Sequence, residues 1–265
     1  MTARLFAQQR QACALIGMVH LEALPGSPGW QGRMQPLRDA ALRDAERLLE
    51  GGCDALLVEN MGDLPYLRGR VGPETVAAMA SVCTDVVRLG APTGVQVLAA
   101  ANLEALGVAM ASGASFIRVE AFAYAHVADE GWLEASAGPL LRTRRNLGAD
   151  VAIWADVQKK HAAHAATADL GMADLAHGSA FCGADALIVT GKATGREAEL
   201  DDVEQASTAG LPVLIGSGVS AENVRRFSAS CAGLIVGSSL KYDGDWRKPV
   251  ELERVRQLRA ALDAC

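Results

Sequence analysis

The sequence holds no apolar run long enough to span a membrane and no C-x-x-C pair, and its first residues, MTARLFAQQRQ, lack the long apolar core of a secretory signal. It has no run of lysine and arginine, and its balance is acidic: 25 basic against 31 acidic side chains, a net charge of −6. That charge disfavours non-specific binding to nucleic acid or to an anionic membrane surface. No linker or low-complexity tract divides the chain, and no G-x-x-x-x-G-K-[ST] phosphate loop occurs. The six cysteines (Cys13, Cys53, Cys83, Cys182, Cys231, Cys265) are scattered, most of them in apolar contexts, as expected of buried free thiols in a reducing compartment. The expectation is a cytoplasmic protein of one domain, residues 1–265, with no transmembrane segment; a homo-oligomer stays open.

What the chain does have is length and a repeat. Its 265 residues, half of them hydrophobic, suffice for one large α/β core. One phrase recurs: Gly52-Cys53-Asp54-Ala55-Leu56-Leu57-Val58, Gly113-Ala114-Ser115-Phe116-Ile117-Arg118-Val119, Gly183-Ala184-Asp185-Ala186-Leu187-Ile188-Val189 and the shorter Cys231–Val236. Each reads as a helix terminus, a turn of small residues and a buried strand. Between them lie the apolar segments Thr93–Ala99, Asp150–Val157 and Leu211–Gly218, and Ala14–His20 precedes them all. Eight strands alternating with helices demand parallel pairing and right-handed crossovers. A repeat recurring every second strand favours a closed (β/α)8 TIM barrel over an open sheet. The helices are expected near Pro36–Glu50, Pro73–Leu89, Asn102–Ala111, Leu133–Leu147, Asp169–Phe181, Leu200–Ala209, Ala221–Ala229 and Val250–Asp263.

In such a barrel, function collects at the C-terminal ends of the strands. The seventh and eighth strands end in Gly216-Ser217-Gly218 and Gly237-Ser238-Ser239, residues that bare backbone N–H groups. With a helix expected to open at Ser220, these groups suit a phosphate. GSGVSA (Gly216–Ala221) also fits the dinucleotide fingerprint G-x-G-x-x-A, but that motif belongs in the first βα turn, with an acid ending the next strand. Plain tight turns are the simpler alternative.

The other strand ends are polar. They carry His20, Glu59, Asn60, Gln96, Arg118, Glu120, Asp156, Lys159 and Thr190, with Lys192, Thr194 and Arg196 beyond. Strand alternation turns Arg118, Glu120, Trp154, Asp156 and His20 into the barrel and Ile117, Val119 and Ile153 outward. Glu59, Asp156, His20, Glu120 and Lys159 are thus candidates for acid–base work, and Asn60, Gln96, Arg118, Thr190, Lys192 and Lys241 for substrate binding. Arg118 and Glu120 can equally be a stabilising ion pair, and His20 a satisfied core imidazole. Glu59, Glu120 and Asp156 together can hold Mg²⁺ or Mn²⁺. His161-x-x-His164 has zinc-like spacing without an evident third ligand.

With those residues in view, the chain resembles the BtpA (SgcQ-like) family of (β/α)8 proteins. The likeness rests on Gly17-Met18-Val19-His20 with Leu24-Pro25-Gly26-Ser27-Pro28, on Val58-Glu59-Asn60-Met61-Gly62-Asp63, and on Phe116–Glu120. Ala155-Asp156-Val157-Gln158-Lys159-Lys160-His161, Ile188-Val189-Thr190-Gly191, Leu214–Val219 and Ile235–Lys241 complete it. Where many bacterial relatives carry an L-R-N-D-like segment, this chain has Leu98-Ala99-Ala100-Ala101-Asn102, which suggests a different substrate. The resemblance implies the barrel more firmly than a reaction. The family takes its name from photosystem I biogenesis, while other members lie in sugar-related gene settings. Three functions stay open: an enzyme acting on a small phosphorylated metabolite, an assembly factor that works through its outer surface, and a ligand sensor without turnover.

Overall fold

The structure, a computed structural model, describes residues 13–159, 161–191 and 198–265. Eleven strands occur in chain order among them: β1 (Ala14–His20), β2 (Ala55–Glu59), β3 (Thr93–Gln96), β4 (Phe116–Val119), β5 (His126–Ala128), β6 (Gly131–Leu133), β7 (Ala152–Asp156), β8 (Ala162–Ala163), β9 (Ala186–Val189), β10 (Val213–Ile215) and β11 (Gly233–Val236). Eight of these close into a barrel in the order β1-β11-β10-β9-β7-β4-β3-β2, and every pairing around it is parallel. The expected TIM barrel is therefore present, with its strands where the repeat placed them.

The helices are α1 (Met34–Glu50), α2 (Pro73–Val87), α3 (Asn102–Ser112), α4 (Ala137–Asn146), α5 (Met172–Phe181), α6 (Leu200–Ser207), α7 (Val224–Phe227) and α8 (Leu252–Asp263). Two differ in kind from the expectation. The helix foreseen over Leu133–Leu147 starts four residues later, because Gly131–Leu133 is drawn into a strand. The helix foreseen over Ala221–Ala229 shrinks to the four residues of α7, capped at Asn223 rather than Ser220. So short a helix adds no useful dipole to the loop before it.

Alternation along the strands sorts two apolar cores. Ile117, Val119, Ile153 and Ala155 pack outward against the helices. Ile16, Met18, Leu57, Phe116, Trp154, Ile188 and Leu214 fill the barrel itself. Phe116 stacks on Trp154 with ring centroids 3.7 Å apart and planes at 14°. Gly94 makes room for that stack, since a Cβ there would lie 2.0 Å from Phe116 Cε2. The lower barrel is therefore plugged by hydrocarbon, and polar side chains are confined to the upper end.

The long loops after β4 and β7 are not independent. Strands β5, β6 and β8 pair antiparallel into a small sheet that joins them. Strands of three residues or fewer are too short to leave a periodic signal, so this pairing is not legible in the sequence. No helix among the described residues is long and apolar enough to cross a membrane. Of the six free cysteines, three are buried and Cys265 is exposed.

Candidate functional site

The turns that follow β10 and β11 form one wall of a cavity of about 270 Å³ at the C-terminal end of the barrel. Gly216 to Ser220, Asn223 and Gly237 to Ser239 line that wall; Met18, His20, Glu59, Met61 and Arg118 line the other side. The backbone N–H groups of Gly218, Val219, Ser238 and Ser239 have no backbone acceptor among the described residues. The remaining polar groups of these turns hold the wall in shape. Ser217 Oγ accepts from Gly191 N–H at 2.7 Å, and Ser239 Oγ donates to the Val219 carbonyl at 2.7 Å. Asn223 ties the first turn together, accepting from Ser220 N–H and donating to the Gly218 carbonyl, both at 2.8 Å. An asparagine-closed loop thus stands where a helix terminus was expected. Gly218, at φ +75°, takes the left-handed conformation that glycine adopts without strain.

Two glycines open this wall to the barrel's polar groups. A Cβ at Gly237 would sit 2.8 Å from His20 Cε1, and one at Gly216 would sit 3.2 Å from Arg118 Nη2. Only the absence of side chains lets the imidazole and the guanidinium come up beneath the two turns. His20 Nε2 lies 3.5 Å from Glu59 Oε2, an acid and a base side by side on neighbouring strands. Trp246 packs edge-on against His20, with centroids 6.3 Å apart. This tryptophan lies in an irregular segment after β11, where no periodicity in the sequence marks it.

The other charges pair differently from the sequence expectation. Arg118 does not pair with Glu120. Its Nε and Nη2 each donate to Asp156 at 3.0 Å, a two-point bond between side chains that are almost wholly buried. Burial works against the Arg118 charge, but Asp156 outweighs it and raises the guanidinium pKa further. Glu120 faces Lys159 at 3.6 Å and accepts from Ala100 N–H at 3.1 Å. Burial pushes the Glu120 carboxyl up to about 7, although Lys159 pulls the other way. Lys159 bonds to Glu130 at 2.8 Å, and its two carboxylates outweigh burial and raise its pKa. Glu130 lies in the turn between β5 and β6, so this buried trio fastens the small sheet onto the barrel mouth. A loop glutamate gives no sequence signal of such burial.

Several candidates fall outside the cavity. Lys241 is a buried partner of Asp44, 2.7 Å away. Asn60 accepts from Leu98 N–H at 2.7 Å and donates to Asp63 at 2.8 Å, while Asp63 also accepts from Leu24 N–H at 2.6 Å. The Glu59–Asp63 motif therefore staples three loops together through Asn60 and Asp63 and sends only Glu59 inward. Thr190 donates to the Gln158 carbonyl at 3.2 Å. Gln96 points into the barrel beside Glu59 and is buried. His161 and His164 do not share a helical face, because a short strand lies between them, and His164 Nε2 sits 3.0 Å from the Lys159 carbonyl oxygen. The three carboxylates proposed for a metal are not gathered: Arg118 engages both oxygens of Asp156, and Lys159 faces Glu120. Among the described residues no group of three His, Cys, Asp or Glu side chains is placed to hold a metal ion. Lys160, Lys192, Thr194 and Arg196 lie outside the described residues.

The family model described as the BtpA family matches residues 11–264. This chain belongs to the BtpA family. A relative named Photosystem I biogenesis protein BtpA, from Synechocystis, is 39% identical over 254 residues, covering 94% of this chain and 87% of that protein. An uncharacterized mitochondrial protein of Caenorhabditis elegans is 42% identical over 249 residues, 91% of this chain and 90% of that one. Among solved structures, N-(5'-phosphoribosyl)anthranilate isomerase from Pyrococcus furiosus superposes with a TM-score of 0.58 at 13% identity, over 96% of this chain and 100% of the other. Orotidine 5'-monophosphate decarboxylase from Methanocaldococcus jannaschii gives 0.57 at 14% identity, over 95% and 98%. At such identities the structural matches establish a shared barrel fold.

Proposed function

We propose that this BtpA-family chain is an enzyme acting on a small phosphorylated metabolite, a sugar phosphate or a phosphoribosyl compound. The observation that carries this is the single cavity with open N–H groups on one wall and His20, Glu59 and Arg118 on the other. The turns after β10 and β11 hold the phosphate, as loops at this place in TIM barrels frequently do. At about 270 Å³ the cavity sits just below the usual range of ligand pockets, about 300–1,000 Å³, and so suits a compact substrate. Glu59 and His20 carry the acid–base work, and binding energy from the phosphate positions the reacting end. The structural neighbours named above are themselves named for phosphorylated compounds, which agrees with this reading.

Calorimetric titration with inorganic phosphate and a panel of sugar phosphates tests it. Binding by the wild type, abolished in Ser238→Asp by charge repulsion at the open turn, supports the site. A wild type indifferent to every member of the panel would remove it.

A second reading is an assembly role of the kind the Synechocystis relative's name describes. Exposed Leu64, Leu67, Val127 and Trp132 in the loops after β2 and β4 favour it. It requires that Val127→Glu with Trp132→Glu abolish the chain's biological role while leaving phosphate affinity intact.

A further inference from the structure

We propose that Cys13 and Cys231 form an oxidisable dithiol, a modification site at which a low-molecular-weight disulfide exchanges to leave an intramolecular bond across the barrel seam. Their Sγ atoms lie 3.4 Å from each other, although 218 positions separate the residues in the chain. No other two of the six cysteines make such a contact among the described residues. The seam brings them together. Strand β1 pairs with β11, with Ala14 opposite Gly233, and Ala14 N–H donates to the Ala232 carbonyl at 3.1 Å. One step back sets Cys13 opposite Ala232, with Cys231 the next residue along. With about 4.8 Å between strands and about 3.3 Å per residue, the two Cα atoms stand about 6 Å apart. That is inside the usual disulfide range of about 4.4–6.8 Å. Both side chains pack in the layer between strands and helices, Cys13 within that core and Cys231 against it. A bond of about 2.05 Å asks the sulfurs to close by about 1.4 Å from 3.4 Å. Cys231 lies in the connection between α7 and β11, outside the strand ladder.

The two thiols differ in access. Cys231 is half-buried, whereas Cys13 is 8% exposed. An incoming disulfide therefore meets Cys231 first. The Cys231 thiolate attacks one sulfur of the reagent R–S–S–R, which forms a mixed disulfide and releases one R–S⁻. Cys13 then attacks the Cys231 sulfur as its thiolate; the bond to the second R–S group breaks and that group leaves. The two released R–S⁻ take up the two protons. Two protein thiols are oxidised and one reagent disulfide is reduced to two thiols, with no other oxidant. The order of the steps is built in. Hydrogen bonding with Cys231, and then burial, holds the Cys13 thiol well above its ordinary range, while Arg259 pulls it down against Asp54. Once Cys231 carries the R–S group, that hydrogen bond and the Cys231 charge are gone, and Cys13 is released to act.

The bond joins the first barrel strand to the last, across 218 positions of chain, and so restricts the unfolded chain more than a short loop would. Neither cysteine lines the cavity, and the pair lies at the opposite end of β1 and β11 from His20 and Gly237. Phosphate affinity is therefore the same in the two redox forms, and the pair stands or falls independently of the phosphate site.

The test uses the full chain, purified with its thiols reduced and then equilibrated with oxidised glutathione. Peptide mapping by mass spectrometry is expected to find Cys13 joined to Cys231. Tm rises by about 4–7 °C, and dithiothreitol reverses the rise. Cys265 is exposed and ends as a glutathione adduct in the same sample, which shows that the reagent is active. Cys13→Ser leaves glutathione trapped on Cys231, because no thiol resolves the mixed disulfide; Cys13→Ala serves where Cys13→Ser fails to fold. A wild type that keeps both thiols while Cys265 is modified overturns the proposal. So does a Cys231 adduct that persists in the wild type, or a linkage from either cysteine to one of the other four. A Cys231 left as a free thiol in the Cys13 variant overturns its role as the entry thiol.

Discussion

Replacing Asp156 by alanine strands the Arg118 guanidinium. The two side chains are 5% and 3% exposed and meet through two hydrogen bonds of 3.0 Å, so the loss of the carboxylate leaves a buried charge without its partner. Breaking one side of such a pair costs about 3–5 kcal/mol. Glu59 and Glu120 also stabilise the Arg118 charge, which places the expected loss at the lower end. With an unfolding entropy of about 2.1 cal/mol/K per residue, the chain has about 0.56 kcal/mol/K in total, so Asp156→Ala lowers Tm by about 5–9 °C. The double variant Arg118→Met with Asp156→Leu leaves no charge behind and recovers most of that loss, because hydrocarbon of similar volume replaces a buried pair at little cost. Scanning calorimetry on the wild type, Arg118→Met, Asp156→Leu and the double variant measures the coupling directly. A fall of less than about 2 °C in Asp156→Ala, or a double variant no more stable than either single, would refute the reasoning.

Three further outcomes are expected. Glu120 has its pKa raised from 4.5 to about 7 in the folded state, so its contribution to stability is full below pH 4.5 and is lost as pH rises through about 7. The loss is about 3 kcal/mol at most. Glu120→Gln therefore flattens the decline of Tm between those two pH values, and an unchanged profile would discard the buried acid. Gly237→Ala drives a methyl to 2.8 Å from His20 Cε1; inorganic phosphate affinity should drop several-fold with a Tm change of only a few degrees, measured by titration and thermal melt. Lys241→Met strands Asp44, which also accepts from Val250 N–H at 2.8 Å. It should cost about 3 kcal/mol while leaving phosphate affinity as it was, whereas a substrate-binding lysine would show the reverse.

The barrel was legible in the sequence because strand and helix signals are local. A buried parallel strand reads as an apolar run, and the repeated glycine-led phrase marks where each one starts. Alternation then settled which residues of β1, β4 and β7 face inward, and the two Gly-Ser turns announced themselves by composition. All of these follow from the backbone geometry of a single strand. Tertiary structure alone decided the partners. Arg118 chose Asp156 over Glu120, the expectation from its own strand, because a guanidinium held across two strands can meet a carboxylate at two points, whereas residues i and i+2 on one strand stand side by side. Lys241 and Asn60 sat in motifs that read as functional, yet long-range hydrogen bonds to Asp44, Asp63 and Leu98 turned them into fastenings. Trp246 and Glu130 reached the mouth from irregular segments, where sequence carries no period and position depends on how the barrel closes. Local periodicity determines which way a side chain points along its own element; what it meets there depends on the distance between elements, which only the closed barrel sets.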